Sequence, residues 1–209
     1  MSKIWPSDYG CEKAAARIDE SLRLLQTDYI DLMLLHQPYG DIYGAYCALE
    51  DAYKSGKVRA IGVSNFYADR FLDIASNVDI KPAVNQVEAH VFNQETEVRK
   101  VADEFGTMVM GWDPLAQGQL GIFSNPVLLS IGENHGKTIS QVALRYLLQL
   151  GLVAIPKSSH IKRMEENLNV FNFELSTEEM QQIKFLDRDY RLNDHRNIDL
   201  IHWFMSTMK

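Results

Sequence analysis

The sequence predicts an α/β fold built on a parallel β-sheet, and two observations lead to that prediction. Short apolar runs alternate with amphipathic stretches along the 209 residues. The run at 29–35 is mostly apolar, as in a strand buried on both faces, and it leads into His36, Gln37 and Pro38, where the proline ends it. No G-x-G-x-x-G follows a first strand, so the dinucleotide-binding fingerprint of a Rossmann fold is absent.

The individual elements follow from local patterns. Apolar residues at 3–4 spacing, glycine stops and capping motifs such as Ser176 with Glu179 predict the helices. Helices are predicted over 12–26, 43–55, 67–76, 94–105 and 138–150, and others that begin near residues 125, 161 and 176. Strands are predicted over 29–36, 57–65, 83–89, 107–112 and 152–157, with a shorter fragment at 2–5. The chain from residue 190 onward is expected to be irregular.

Composition narrows the class of protein. The length suits a single domain over residues 1–209, with 188–209 as a C-terminal loop or tail. A net charge of −7 argues against nucleic acid as a partner, and no apolar run reaches the roughly 18–20 residues of a membrane helix. Cys11 and Cys47 lie far apart in the sequence, which argues against a disulfide framework or a zinc site. A reducing cytoplasm is the expected location.

His36 is the first candidate for chemistry. A histidine at the carboxyl end of a parallel strand lies where α/β barrels place their active sites. The alternative is a histidine satisfied within the core, and for an isolated histidine that alternative is the more common one. The remaining motifs of the chain favour the functional interpretation.

Five segments together resemble the aldo-keto reductases, in particular the microbial branch that includes 2,5-diketo-D-gluconate reductase. The segments are 2–10, 35–38, 62–66, 83–88 and 155–158, in the family's order and spacing over nearly the whole chain. The resemblance implies a TIM (β/α)8 barrel and a nicotinamide cofactor bound without a Rossmann fold. It also implies an NADP-dependent oxidoreductase that reduces aldehydes and ketones to alcohols.

The catalytic set implied by the resemblance is Asp, Tyr, Lys and His. Lys3 and His36 match the lysine and the histidine. The tyrosine and the aspartate belong to a segment of the type D-x-A-x-x-Y-x-N-E, which is absent from these residues. We therefore expect an N-terminally truncated barrel of about five to six strands, with weak catalysis, since losing a general acid costs about 10²–10⁴-fold in rate. Tyr9, in a loop beyond the barrel rim, is not expected to replace that acid.

The resemblance also implies where the nicotinamide end of the cofactor binds. Ser64, Asn65 and Gln86 match positions that hydrogen-bond the nicotinamide carboxamide, which needs both donors and an acceptor. Leu115 and Gln117 match the loop over the pyrophosphate. From spacing alone, the alternative is that Asn65 caps a turn and that Gln86 ends a strand in solvent.

A second group of residues matches the family's site for the adenosine end: Lys157, Ser158, Arg163, Glu166 and Asn167. If residues from about 161 are helical, the last three lie on one face, at i, i+3 and i+4. A lysine, a serine and an arginine suit a dianionic 2′-phosphate, which a guanidinium binds through two hydrogen bonds. This group favours NADPH (NADP+) over NADH as the cofactor. The alternative is a solvated surface of arginine and glutamate.

Aromatic residues match the substrate mouth. Trp5 matches an aromatic of the substrate wall, and Trp112 matches the aromatic under the nicotinamide ring and could, with Tyr39, extend that wall. Residues 194–196 fit the C-terminal ending of the branch. No metal site is expected, because four histidines lack metal-ligand spacing and are expected in surface or capping roles: His90, His135, His160 and His202.

Three functional hypotheses stay open on the sequence. The first is an NADPH-dependent reductase of a small carbonyl substrate, monomeric as in the family. The second is a non-catalytic nucleotide-binding subunit that self-associates through open barrel edges. The third is a marginally folded chain without a function of its own. NADPH affinity, turnover and oligomeric state distinguish them.

Overall fold

The computed structural model describes residues 1–206, which contain one six-stranded sheet whose strand order follows the chain. The strands are β1 (Ser2–Ile4), β2 (Met33–Leu35), β3 (Ile61–Ser64), β4 (Val84–Glu88), β5 (Met108–Trp112) and β6 (Val153–Ala154). This order is typical of successive βα units. It begins at β1 and ends at β6, so the sheet is open, and the predicted open α/β architecture of five to six strands is confirmed.

Helices lie between these strands, and three further helices follow β6 among the described residues. They are α1 (Cys11–Leu25), α2 (Ile42–Lys54), α3 (Ala68–Asn77), α4 (Thr96–Glu104), α5 (Pro126–His135), α6 (Ile139–Gln149), α7 (Ile161–Leu168), α8 (Thr177–Lys184) and α9 (Ile198–Ser206). Capping boxes begin α6, at Thr138 and Gln141, and α8, at Ser176 and Glu179. No helix described in residues 1–206 is both long and apolar enough to cross a membrane.

The helix α9 corrects one prediction, because the chain after residue 190 was expected to be irregular. The side chain of Asn197 accepts hydrogen bonds from the backbone N–H groups of Asp199 and Leu200, and so it caps this helix. Phe204 of α9 is buried. The predicted C-terminal loop at 188–209 therefore includes a helix at 198–206, and residues 207–209 lie outside the described residues.

Contacts divide the chain into two compact units, and the expected single domain stays a prediction. Unit 1 comprises residues 1–86, 97–108 and those from 194 onward. Its strands are paired in parallel, with Lys3 opposite Leu34 and Leu35 opposite Val63. β2 and β3 are buried at every position, as expected for strands covered on both faces. A Cβ atom on Gly62 would overlap the carbonyl oxygen of Val84, so the approach of β3 to β4 requires glycine there.

Unit 2 comprises residues 87–96 and 109–193. β5 pairs with β6 in parallel, with Met110 opposite Val153. The helix α6 packs against both α5 and α7. Leu128, Ile131 and Leu147 are buried in this unit. The capped start of α6 and the end of β6 place α7 beside the loop that follows β5.

Candidate active site

Unit 1 brings Lys3, Trp5 and His36 together at the carboxyl ends of β1 and β2. The backbone N–H of His36 donates to the carbonyl oxygen of Ile4 at 3.0 Å, which places His36 beside the end of β1. The rings of Trp5 and His36 meet edge to face, with centroids 5.0 Å apart. The strand-end position predicted for His36 is therefore the observed one.

The electrostatics of this group favour uncharged imidazole. Burial, the Lys3 ammonium and His195 lower the pKa of His36 to about 4. Burial also lowers the pKa of Lys3. At neutral pH, His36 is therefore a neutral ring that can donate or accept a hydrogen bond, beside a lysine that is partly removed from water.

His36 makes the free energy of unfolding depend on pH. The unfolded state, with a histidine pKa of about 6.5, binds more protons than the fold as the pH falls towards about 4. The contribution of neutral His36 is fully present above about pH 6.5 and is lost progressively down to about pH 4. We expect urea unfolding to show a smaller loss of stability over this interval in His36→Gln than in the parent chain. Equal losses in the two proteins would contradict the lowered pKa.

The tyrosines near these residues are held in other interactions. The hydroxyl of Tyr9 donates to the carbonyl oxygen of Gln37 at 2.8 Å and accepts from the N–H of Gln37 at 3.0 Å. Tyr9 is buried, and burial raises its pKa. Tyr39 donates to the carbonyl oxygen of His195, and burial, followed by the charge of Asp194, raises the pKa of Tyr39 to about 12. Both hydroxyls are thus engaged within the fold, and the expectation that Tyr9 does not replace the family acid stays a prediction.

The residues predicted to hold the carboxamide are also gathered in unit 1. Ser64 Oγ donates to the carbonyl oxygen of Gln86 at 3.0 Å, and Asn65 Nδ2 donates to the carbonyl oxygen of His36 at 3.1 Å. Gln86 Nε2 lies 3.8 Å from the sulfur of Met1. Asn65 has a left-handed backbone, with φ 64°, as in a turn-capping role. All three predicted residues are buried, so Gln86 is not the solvated strand end of the alternative hypothesis.

The C-terminal helix contributes aromatic residues to unit 1. The ring of Phe204 lies 5.5 Å from that of Trp5 and 6.2 Å from that of Tyr39. It also stacks on His195, with centroids 5.9 Å apart. Phe204 thus joins the aromatic wall that was predicted from Trp5 and Tyr39. Sequence analysis missed its position because the cap at Asn197 was overlooked.

Unit 2 contains a groove of about 640 Å³ between the loop after β5, the end of β6 and the helix α7. Seven predicted cofactor residues line it: Leu115, Gln117, Lys157, Ser158, Arg163, Glu166 and Asn167. The residues that sequence analysis missed are Asp113, Pro114, Gly118, Phe123, Ser140, Pro156, Ser159 and His160. Most of the second set are sequence neighbours of the first, so adjacency was the signal for them, whereas Phe123 and Ser140 lie elsewhere in the sequence.

The groove is lined by two cationic side chains, Lys157 and Arg163, and by two carboxylates, Glu166 and Asp113. Among the residues the structure describes, neither Lys157 nor Arg163 forms an ion pair. Glu166 accepts a hydrogen bond from Thr138 Oγ1. Asp113 accepts one from Gln117 Nε2. Both carboxylates are thus engaged with neutral donors, while the two cations are available to an anion.

The loop after β5 has an unusual backbone. Asp113, Ala116, Gln117 and Leu120 all have positive φ without being glycine. Such conformations cost of order 1–3 kcal/mol each and are concentrated at ligand-binding sites. These conformations make the loop a candidate ligand-binding segment. Trp112 is the last residue of β5, directly before this loop, and it is not among the residues that line the groove. Its contact with the nicotinamide ring stays a prediction.

The other histidines occupy three different settings. His90 is buried and lies 3.1 Å from the carboxylate of Glu88, so the predicted surface or capping role is wrong for His90. His135 ends α5 and contacts Glu179 at 2.9 Å, whereas His160 precedes α7. Within residues 1–206, no group of three or more His, Cys, Asp and Glu side chains is arranged to hold a metal ion.

Buried carboxylates in unit 2 anchor the segment that precedes α9, and sequence analysis missed them. Glu88 accepts hydrogen bonds from the N–H groups of Leu192 at 2.6 Å and Asn193 at 3.0 Å. Glu95 pairs with Arg191 through two hydrogen bonds, of 2.8 and 3.0 Å. Two acidic residues on either side of His90, just at and after the end of β4, were the available signal, but their partners lie 96 to 105 residues away in the sequence.

Comparison with known proteins agrees with this geometry. The family model of the aldo/keto reductases matches residues 1–188. The chain belongs to the aldo/keto reductase family. The glyoxal reductase of Bacillus subtilis (strain 168) is 45% identical to this aldo/keto reductase over 192 residues, which cover 91% of the chain and 69% of that protein. The family predicted from the five sequence segments is confirmed.

Solved structures place this aldo/keto reductase in the same fold. An aldo-keto reductase from a Medee basin deep-sea metagenome library is 35% identical, with a TM-score of 0.91 over 95% of this chain and 75% of that one. The Bombyx mori aldo-keto reductase in complex with NADP is 31% identical, with a TM-score of 0.86 over 92% of this chain and 69% of that one.

Proposed function

We propose that this aldo/keto reductase binds NADPH and that the 2′-phosphate end of the cofactor occupies the groove of unit 2. The observation that carries the proposal is the convergence of seven predicted residues on one cavity, in which Lys157 and Arg163 form no ion pair within residues 1–206. A dianionic phosphate would complete the hydrogen bonds of both cations. The silkworm relative that was crystallised with NADP supports the choice of cofactor.

We therefore propose that contacts to the adenosine end contribute most of the affinity for the cofactor. The carboxamide end contributes less, since Ser64, Asn65 and Gln86 are covered and use donors within the chain. Their amide groups have the donor and acceptor atoms that a carboxamide requires. We propose that they contact it after local rearrangement of the side chains.

The substrate is proposed to be a small aldehyde or ketone beside His36. Bound NADPH would supply the hydride equivalent for reduction of the carbonyl carbon. The neutral imidazole of His36 donates a hydrogen bond to the carbonyl oxygen, and the Lys3 ammonium stabilises negative charge that develops there. Trp5, Tyr39 and Phe204 exclude water from the substrate side. Because the hydroxyls of Tyr9 and Tyr39 are engaged, neither tyrosine is poised as the general acid, and we expect slow turnover.

A second candidate function is a non-catalytic nucleotide-binding subunit. The hydrogen bonds of Tyr9 and Tyr39 favour this role, because they occupy the two hydroxyls that could donate a proton to the substrate. The groove that would bind the nucleotide does not involve these tyrosines. Self-association through the edge of the open sheet at β1 would accompany this role. The cytoplasm is the compartment that we propose for either function.

The deciding experiment titrates residues 1–209 with NADPH and with NADH by quenching of protein fluorescence, and follows NADPH oxidation with a panel of small aldehydes. We expect saturable binding that prefers NADPH, together with slow turnover. Size-exclusion chromatography of the same sample reports self-association. Binding without turnover in a stable oligomer would support the second candidate. Absence of saturable NADPH binding by a cooperatively folded sample would overturn both.

A further inference from the structure

The two cysteines of the chain are neighbours in unit 1. Cys11 is the first residue of α1, Cys47 lies within α2, and these two helices pack against each other. Both thiols are exposed to solvent, and their side chains interact through a hydrogen bond. Their separation along the chain had predicted that they would not pair, and the packing of two adjacent helices is what brings them together.

The start of α1 is held against the start of α2 by further contacts. Tyr9 lies two residues before Cys11, and its hydroxyl donates a hydrogen bond to the carbonyl oxygen of Gln37. Gln37 lies just ahead of α2. A Cβ atom on Gly10 would lie 3.5 Å from a carboxylate oxygen of Asp41, the residue that caps α2. The segments that precede the two helices are therefore close together, as are the helices that carry the two thiols.

We propose that Cys11 and Cys47 form a reversible, oxidant-responsive disulfide that joins the start of α1 to α2. Exposed thiol pairs in intracellular proteins are more often transient and redox-responsive than permanent crosslinks. The oxidant is a hydroperoxide, either hydrogen peroxide or an organic one. This cysteine pair lies in unit 1, whereas the proposed cofactor groove lies in unit 2.

The two cysteines have different roles in the reaction. Cys11 is the first residue of the 15-residue helix α1, and its thiol is exposed to an incoming peroxide. The pKa of Cys47 is raised by desolvation, then by Cys11, Asp51 and Glu50, so Cys47 keeps its proton. Cys11 is therefore the thiol that attacks the peroxide, and Cys47 is the thiol that resolves the product.

The reaction balances without any other reactant. The Cys11 thiolate attacks one peroxide oxygen, the O–O bond breaks, and the products are a sulfenic acid and, after protonation, an alcohol or water. The Cys47 sulfur then attacks the sulfenic sulfur, the S–O bond breaks, and the hydroxyl leaves as water with the Cys47 proton. The two thiols lose two electrons in total, and the peroxide gains two.

Mass spectrometry of the whole chain tests the proposal. Residues 1–209 are treated with stoichiometric hydrogen peroxide, free thiols are alkylated, and the sample is digested with trypsin without reduction. We expect a crosslinked product of peptides 4–13 and 24–54, which carry Cys11 and Cys47 respectively, and its loss after treatment with dithiothreitol. We also expect Tm to rise by roughly 5–10 °C on oxidation, because the crosslink closes a long loop.

Two variants show which cysteine attacks the peroxide and which one resolves the sulfenic acid. They also test the proposal if mass spectrometry fails to detect the crosslinked peptides. Cys47→Ser is expected to stop at the Cys11 sulfenic acid, which dimedone traps, and Cys11→Ser is expected to consume peroxide at least tenfold more slowly than Cys47→Ser. Complete alkylation of both thiols in the peroxide-treated folded chain would overturn the proposal. Disulfides that form only between chains, seen as dimers on a non-reducing gel, would also overturn it.

Discussion

An Arg163→Ala variant is expected to bind NADPH about 10- to 100-fold more weakly than the parent chain, while its affinity for NADH changes little. The reason is that Arg163 lines the groove of unit 2 and has no ion pair among the described residues. A hydrogen bond between charged groups contributes about 1.5–3 kcal/mol, which corresponds to that loss of affinity. Fluorescence titration with the two cofactors measures it directly.

Lys162→Ala is the matched control for this prediction. Lys162 precedes Arg163 on α7, is exposed, and does not line the groove. The two variants remove the same charge from the same helix, so a loss confined to Arg163→Ala identifies a specific contact. Equal losses in the two variants would indicate long-range attraction only. Equal losses for NADPH and NADH would place Arg163 away from the 2′-phosphate.

A Glu88→Ala variant is expected to lose about 3–5 kcal/mol of unfolding free energy, the range for removing one partner of a buried charged network. Its side chain is 1% exposed and accepts hydrogen bonds from His90, Leu192 and Asn193. Alanine would remove the acceptor of the buried His90 ring and of the half-buried N–H groups of Leu192 and Asn193. Urea unfolding measures the loss, and hydrogen exchange should show faster exchange at Leu192 and Asn193.

Glu104→Ala is the control, because Glu104 is exposed at the end of α4 and its loss should change stability by less than about 0.5 kcal/mol. Glu88→Gln keeps an acceptor oxygen, and its loss of unfolding free energy should lie between those of the two alanine variants.

Burial raises the pKa of Glu88, but the hydrogen bonds from His90, Leu192 and Asn193 outweigh that effect and leave the pKa lowered. The contribution of Glu88 is therefore present above the unfolded pKa of about 4.3 and is lost as the pH falls through the lower folded value. A stability difference between parent and Glu88→Ala that does not shrink in acid would contradict this account.

Much of the site was predictable because strand ends and short loops fix residue positions locally. His36 follows a buried apolar strand and precedes a proline, and the structure places it at the end of β2 beside Lys3. The cluster from Lys157 to Asn167 lies within one loop and one helical turn, so its convergence needs no distant contact. Predicted strands such as 29–36 were too long, because continuous pairing covers only Met33–Leu35, with an isolated bridge at Ile30, while Tyr29 and Asp31 face solvent.

The sequence by itself determined the alternation of strands and helices, the family, and the identity of the residues at each strand end. These features depend on side-chain periodicity, capping and short-range spacing, all of which are written along the chain. The tertiary structure decided which hydroxyls are engaged, since Tyr9 meets Gln37 and Tyr39 meets His195 only after folding. It also decided the anchoring of residues 191–193 by Glu88 and Glu95, and the meeting of Cys11 with Cys47. Each of these contacts joins residues far apart in the sequence, where the free energy of packing, rather than local propensity, selects the partner.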